Sequence, residues 1–307
     1  MKREILIDCD PGIDDTIALM MAFKDPSIEV IALTTVFGNA SVEITTHNAL
    51  ILNDYFKFNV PVYKGAAIPL FHPRKYQSIV HGPNGMGNVD FPAPTSKVSP
   101  KYAWDAIYDE AKKRGKTLTV LTLGPLTNVA IAILRYEDLK EYVKEIIIMG
   151  GSATKGNAKP FGESNVVNDP YAMQVILNSQ IPVTMVGLNA TETTRMTEEE
   201  HKQIFADASK IDPLIVKMLT HYKGVQGMYG DNGMVIHDAA TMAVVLHPEW
   251  ATSRLLHVDV ETIQNSMYGR TIVDIRKHSK LIKNCTVVET IERAPYLKHL
   301  EKTLKEN

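Results

Sequence analysis

The sequence predicts a single-domain α/β fold, with a mostly parallel, mixed central sheet flanked by helices, over residues 1–307. Three observations carry this expectation. Short β-branched runs that are apolar almost throughout recur along the chain, the pattern of strands buried on both faces. Longer helical patterns separate them, so strand and helix alternate. The sequence shows no internal repeat, low-complexity tract or linker, and a composition of 45% hydrophobic and 22% charged residues supplies enough apolar surface for a large core.

The candidate strands are "EILIDC" at 4–9, "IEVIALTTV" at 28–36, "LTVLTLG" at 118–124, "EIIIMGG" at 145–151 and "PVTMVGL" at 182–188. A helix is expected from Asp14 to Lys24, ended by Asp25-Pro26; Ser41 suits the cap of another running to about Phe56. Pro125 suits the first turn of "PLTNVAIAILRY". From Gly65 to Pro100 the rhythm breaks into Pro, Gly and Asn, and irregular stretches of that length are often functional. Residues 197–226 read as helical, and apolar runs near 255–262, 271–276 and 284–289 read as further strands. Met20, Met21, Met173 and Met185 read as core packing.

A formal net charge of -2 gives no phosphate-tracking surface, so nucleic acid and anionic membranes are not expected partners and a small molecule is. Cys9 and Cys285 match no disulfide framework or zinc-ligand spacing. The N-terminal apolar run is too short for a signal peptide, and nothing approaches the roughly 18 apolar residues of a spanning helix. A cytoplasmic, reducing setting is the expectation.

The chemistry concentrates in "DCDPGIDD", four carboxylates at Asp8, Asp10, Asp14 and Asp15 directly after an apolar strand. Asp10 falls at the strand's carboxyl end, where α/β sheets place ligands, and Asp14 and Asp15 open the next helix. Like charges this close need a positive group among them. Hard oxygen donors without a thiolate or paired-histidine pattern point to Ca²⁺ or Mg²⁺. The plainer explanation is that Asp14 and Asp15 complement a helix dipole, worth about 0.3–1 kcal/mol each when exposed; it accounts for two of the four.

"DCDPGIDD" resembles the N-terminal signature of the inosine-uridine nucleoside hydrolases, calcium enzymes that cut the N-glycosidic bond of ribonucleosides. The resemblance extends through "TTVFGN" (34–39), "HGPNGMG" (81–87), "LGPLTNVA" (123–130), "MGGSATKGN" (149–157), "GESNVVNDP" (162–170) and "HDAAT" (237–241). It implies a Rossmann-like nucleoside hydrolase fold, one Ca²⁺ per subunit held by Asp10, Asp15, the Leu123 carbonyl and Asp238, and a homotetramer or homodimer. It further implies that Asp10 is the base for a metal-bound water. Asp14, Asn165 and Asn39 match the ribose 2′- and 3′-hydroxyl positions, and Asn157 and Glu163 the 5′-hydroxyl side. His237 matches the histidine near the leaving base, His81 another beside the nucleobase, and Asp8 a structural position.

These residue types suit the reaction. Breaking a ribosyl C–N bond builds an oxocarbenium-like cation that carboxylates stabilise; a metal lowers the pKa of the attacking water, which inverts the anomeric carbon. A histidine supplies the leaving base with a proton near neutral pH. Without this context Asn157 and Asn165 would read as loop or capping residues. His47, His72, His201, His221, His247, His278 and His299 have no such context and read as surface or satisfied core residues.

By the same resemblance, the segment 221–238 corresponds to the mobile helix and loop that cover the nucleobase in the family, and its glycines suit a lid. Tyr229 stands where pyrimidine-preferring relatives carry a tyrosine, Gln226 lies near a second such position, and Trp104 and Trp250 fall elsewhere. Pyrimidine or mixed ribonucleosides are the expected substrates. Two other classes are weighed: a Mg²⁺-dependent phosphohydrolase, which Pro11-Gly12 fits poorly, and a non-catalytic nucleoside-binding protein, which has little use for Asp10, Asp15, Asp238 and His237 together.

Overall fold

The computed structural model describes residues 2–73, 80–228, 230 and 232–306. In chain order the elements are β1 (Arg3–Cys9), α1 (Ile13–Lys24), β2 (Ile28–Thr35), α2 (Val42–Tyr55), β3 (Val62–Lys64), α3 (Ala103–Arg114), β4 (Thr119–Thr122), α4 (Thr127–Arg135) and β5 (Glu145–Met149). There follow α5 (Ser164–Asn168), α6 (Pro170–Leu177), β6 (Val183–Val186), α7 (Leu188–Thr191), α8 (Glu198–Ile204), α9 (Pro213–Met228), α10 (His237–Leu246), β7 (Ala251–Val260), β8 (Thr271–Asp274), β9 (Cys285–Ile291) and α11 (Arg293–Lys305).

The strands among the described residues form one sheet in the order β3-β2-β1-β4-β5-β6-β9-β7-β8. Every pairing from β3 to β9 is parallel, and β7 pairs antiparallel with both β9 and β8. The sheet is thus mixed, as expected. Its direction of growth reverses between β1 and β4: the chain first builds outward to β3, then returns to β4 on the other side of β1. A crevice opens at such a switch point, beyond the strands' carboxyl ends.

Side-chain alternation along β1 distributes its residues between two cores. Ile5, Ile7 and Cys9 join a cluster with residues of α1, α9, α10 and α11, while Leu6 joins another with α3, α4 and α6. Asp8 shares the face of Leu6 and is fully buried. Its Oδ1 accepts from Thr34 Oγ1 at 2.5 Å and Asn128 Nδ2 at 2.7 Å, and burial pushes its carboxyl up to about 7.

Local differences from the sequence reading have physical causes. β3 and α3 flank the irregular stretch, β3 being only three residues long and α3 burying only Ala103, Ala106, Ile107 and Ala111. Pro125 lies just ahead of α4, whose first residue is Thr127. The helical reading of 197–226 breaks into α8, a 3₁₀ segment at 205–210 and α9, because Asp207 is non-helical and Pro213 starts a new helix. Among the described residues no helix is long and apolar enough to cross a membrane.

Candidate active site

A cavity of about 550 Å³ opens over the switch point, lined by Asp10, Asp14, Asn39, His81, Leu123, Asn157, Glu163, Asn165, His237 and Asp238, among others. Of the described site residues read from the sequence, only Asp15 is not in this lining. Asp15 lies fully buried beneath it; Tyr229 falls outside the described residues.

Asp10 sits one residue past β1 and is walled by two glycines. A Cβ on Gly38 would stand 1.9 Å from Asp10 Oδ2, and one on Gly124 2.5 Å from Oδ1. The backbone N–H of Asn39 donates to Asp10 Oδ2 at 2.6 Å. The Asn39 side chain is committed to the same cluster, donating to Asp10 O and Asp15 Oδ2, each at 3.1 Å. Asn39 thus holds the carboxylate cluster while lining the cavity.

Asp14 and Asp15 occupy the first turn of α1, and Asp238 the first turn of α10, where helix dipoles favour negative charge. Gly12 N–H donates to Asp15 Oδ2 at 2.9 Å. Asp14, Asp15 and Asp238 each offer an oxygen within 4.8 Å of the others. Burial, followed by the charge of Asp14, pushes Asp15 up to about 7, and burial followed by Asp14, Asp15, Asp10 and Glu163 pushes Asp238 upward. Asp14 Oδ1 is buried without a hydrogen-bond partner among the described residues. Converging carboxylates that raise one another's pKa, with an orphaned oxygen among them, fit a hard cation. The resemblance assigned Asp10 to the ligand set, and the three-carboxylate grouping has Asp14.

Next to this cluster, Leu123 directly follows β4, and its carbonyl accepts from Asn165 Nδ2 at 2.7 Å. Glu163 caps α5: Oε1 accepts from Asn165 N at 2.8 Å, and Oε2 from Gly151 N at 2.9 Å and Val166 N at 3.2 Å. Burial nevertheless pushes Glu163 up to about 7. Asn157 Oδ1 accepts from Ser164 N at 2.9 Å, tying the loop after β5 to the same helix.

Also in the lining, His237 is the first residue of α10 and shares a 2.8 Å hydrogen bond between Nδ1 and Thr191 Oγ1. His81 Nδ1 accepts from Ile13 N at 3.1 Å, so its neutral ring carries the proton on Nε2, 3.7 Å from Asp14 Oδ1. Burial holds His81 below its usual pKa.

Sequence reasoning did not single out Tyr222, whose hydroxyl donates to Asp14 Oδ2 at 3.3 Å. Burial and the charges of Asp14 and Asp238 push its pKa up, keeping it a donor. Gln226, one turn on, faces the same cavity, but its amide is fastened to Val235, Nε2 to O at 2.8 Å and Oε1 from N at 3.0 Å. The i, i+4 spacing of the pair was the available signal. Lys155, Glu192 and Arg195 also line the cavity, with Lys155 Nζ 3.1 Å from Glu192 Oε1.

The family model described as inosine-uridine preferring nucleoside hydrolase matches residues 5–298. The chain belongs to this family. It is 36% identical over 288 residues to the inosine-uridine preferring nucleoside hydrolase of Leishmania major, covering 93% of this chain and 91% of that one. It is 37% identical over 283 residues to uridine nucleosidase 1 of Arabidopsis thaliana, covering 89% and 82%. A solved plant nucleoside hydrolase superposes over 100% of both chains with a TM-score of 0.92 at 28% identity. The fold is accordingly the nucleoside hydrolase fold, and membership makes the chain a hydrolase acting on ribonucleosides. The phosphohydrolase and the non-catalytic binding protein are set aside.

Proposed function

We propose that this nucleoside hydrolase is calcium-dependent, holding one Ca²⁺ per subunit, and that it accepts pyrimidine as well as purine ribonucleosides. The observation that carries the reading is the convergence of Asp14, Asp15 and Asp238 within 4.8 Å at a cavity shared with Asp10, Asn165, Glu163 and His237.

The residues to hold the ion are Asp10, Asp15, Asp238 and the Leu123 carbonyl, an all-oxygen set suited to Ca²⁺. When bound, Ca²⁺ supplies Lewis acidity that orients the attacking water and lowers its pKa. Asp10, fixed by Asn39 N–H and the Gly38 and Gly124 walls, takes the proton from that water. Asp14 and Asn165 hold the ribose 2′- and 3′-hydroxyls, with Asn157 and Glu163 at the 5′ side. Their negative charge and oriented dipoles stabilise the positive charge that grows on the ribose ring. His237, held by Thr191, donates a proton to the departing base, and His81 borders the base. Water attacking opposite the base inverts the anomeric carbon.

Mixed base acceptance is supported by Gln226, whose amide is engaged with Val235 at both ends and is not offered to a base edge. The names of the relatives, uridine nucleosidase and inosine-uridine preferring hydrolase, support the same reading. We assign a homo-oligomer, dimer or tetramer, supported by the exposed Leu255, Ile272, Ile275, Leu281 and Ile282 around the β7–β8 edge. A reducing, cytoplasmic setting is supported by two cysteines held as buried thiols.

The test is a panel of uridine, cytidine, inosine, adenosine and thymidine, with free base and free ribose measured on wild type and Asp10→Ala. Equal release of base and ribose from uridine and inosine, lost by orders of magnitude in a folded Asp10→Ala, is expected. Near-normal turnover in that variant would remove Asp10 from its role; turnover of one base class alone would remove the mixed specificity.

A further inference from the structure

At the far ends of two helices that build the active site lies a second group of metal-competent side chains. Asp25 is the C-cap of α1, His247 is the C-cap of α10, and His299 projects from α11. Each offers a ligand atom within 4.8 Å of the other two, and all three are partly buried.

We propose that Asp25, His247 and His299 form a metal site for a divalent transition ion, Zn²⁺ being the best match, which clamps α1, α10 and α11 together. Two imidazoles and one carboxylate are the donor set of borderline ions, unlike the all-oxygen cluster in the cavity. Rotation of half-exposed side chains closes their spacing to the roughly 3.3 Å between ligands on a tetrahedral ion with bonds near 2.0 Å. Water takes the remaining position.

The surroundings hold the rings in place. Trp250 stacks on His247 with centroids 3.8 Å apart and planes at 16°, and the His247 and His299 centroids are 5.2 Å apart. His247 Nδ1 lies 3.2 Å from Glu249 Oε1, the carboxylate–imidazole pairing that orients a ligating ring through its other nitrogen. The cap N–H groups of Asp25 and His247 bond to Met21 O at 3.2 Å and Ala243 O at 2.8 Å, which fixes two of the three donors to helix backbone.

The position has a consequence for the catalytic end. α1 and α10 are 12 and 10 residues long, and their opposite ends carry Asp14, Asp15, His237 and Asp238. A clamp roughly 15–18 Å from the cavity, at about 1.5 Å per residue, fixes the axial register of the two helices without touching substrate. The ion is a structural one.

The experiment titrates Ca²⁺-loaded, transition-metal-free enzyme with Co²⁺ as the spectroscopic probe, reading visible absorption, displacement by Zn²⁺ and melting temperature. One equivalent should give a band that Zn²⁺ abolishes and a melting temperature that Zn²⁺ raises. His247→Gln and His299→Gln should weaken binding at least 100-fold while keeping ribonucleoside turnover. Asp25→Asn, which keeps both rings and their packing, should weaken it about tenfold and melt like wild type without metal. Absence of a band, a band unchanged in both histidine variants because the ion sits in the carboxylate cavity, or unchanged affinity in Asp25→Asn would each overturn the proposal.

Discussion

The side-chain amide of Asn165 donates to the carbonyl oxygen of Leu123 at 2.7 Å, linking a residue matched to ribose binding with a carbonyl matched to the cation. The same amide reaches Met149 O at 3.1 Å, so one side chain bridges the ends of β4 and β5. Asn165→Ala should therefore weaken both substrate and cation. The expected result is a KM for uridine raised about tenfold, the scale of one lost buried hydrogen bond, and a parallel loss of Ca²⁺ affinity in a calorimetric titration. A raised KM with unchanged Ca²⁺ affinity would confine Asn165 to the sugar.

Asp10 has no room to move, because Gly38 and Gly124 close against both of its oxygens. Gly38→Ala places a methyl group 1.9 Å from Asp10 Oδ2, too close for the carboxylate to keep its position, and should lower kcat at least 100-fold. Since the clash lies at a loop beside the cavity, circular dichroism should show a folded protein. Gly38→Ala with wild-type kcat would mean that the Asp10 position tolerates displacement.

Tyr222 holds Asp14 from α9, a contact between residues 208 positions apart. Tyr222→Phe removes the donor while keeping the ring, and should raise KM for ribonucleosides about five- to tenfold with kcat changed less. Steady-state kinetics on uridine and inosine will check this, and an equal fall in both bases is expected because the contact acts on the sugar side.

Glu163 is raised from 4.5 to about 7 by burial. A carboxyl whose folded pKa exceeds its unfolded one binds more protons when folded, so stability declines as pH rises from about 4.5 to about 7. Glu163→Gln removes that slope. In chelated protein the variant should gain on wild type by up to roughly 3 kcal/mol across this window, each pH unit contributing about 1.4 kcal/mol. Urea titrations at pH 4.5, 6 and 7.5 measure it; parallel pH profiles would contradict the raised pKa.

The parallel strands were legible because burial on both faces leaves continuous apolar runs such as Ile5-Leu6-Ile7 and Ile146-Ile147-Ile148, all fully buried or nearly so. The acidic cluster was legible because Asp10 through Asp15 and His237-Asp238 are local in sequence and adjacent to strand or helix ends. Tyr222 and the Asp25–His247–His299 group were not. Their meaning arises only when α9 packs over α1 and when α10 and α11 bring distant residues together. Asn39 shows a subtler limit: its motif marked it as a site residue, but only the hydrogen bonds reveal that it serves Asp10 and Asp15. The short β3 and the polar α3 carried too little periodicity to stand out beside the irregular stretch.

The central claim is that a cation held by these carboxylates is required for hydrolysis. The most direct measurement is ribose release from uridine, without phosphate, by chelator-treated enzyme before and after addition of Ca²⁺. The account predicts turnover near zero after chelation, restored by Ca²⁺, with free uracil and ribose in equal amounts. Undiminished ribose release in the presence of chelator, or none from folded, Ca²⁺-loaded protein, would contradict it.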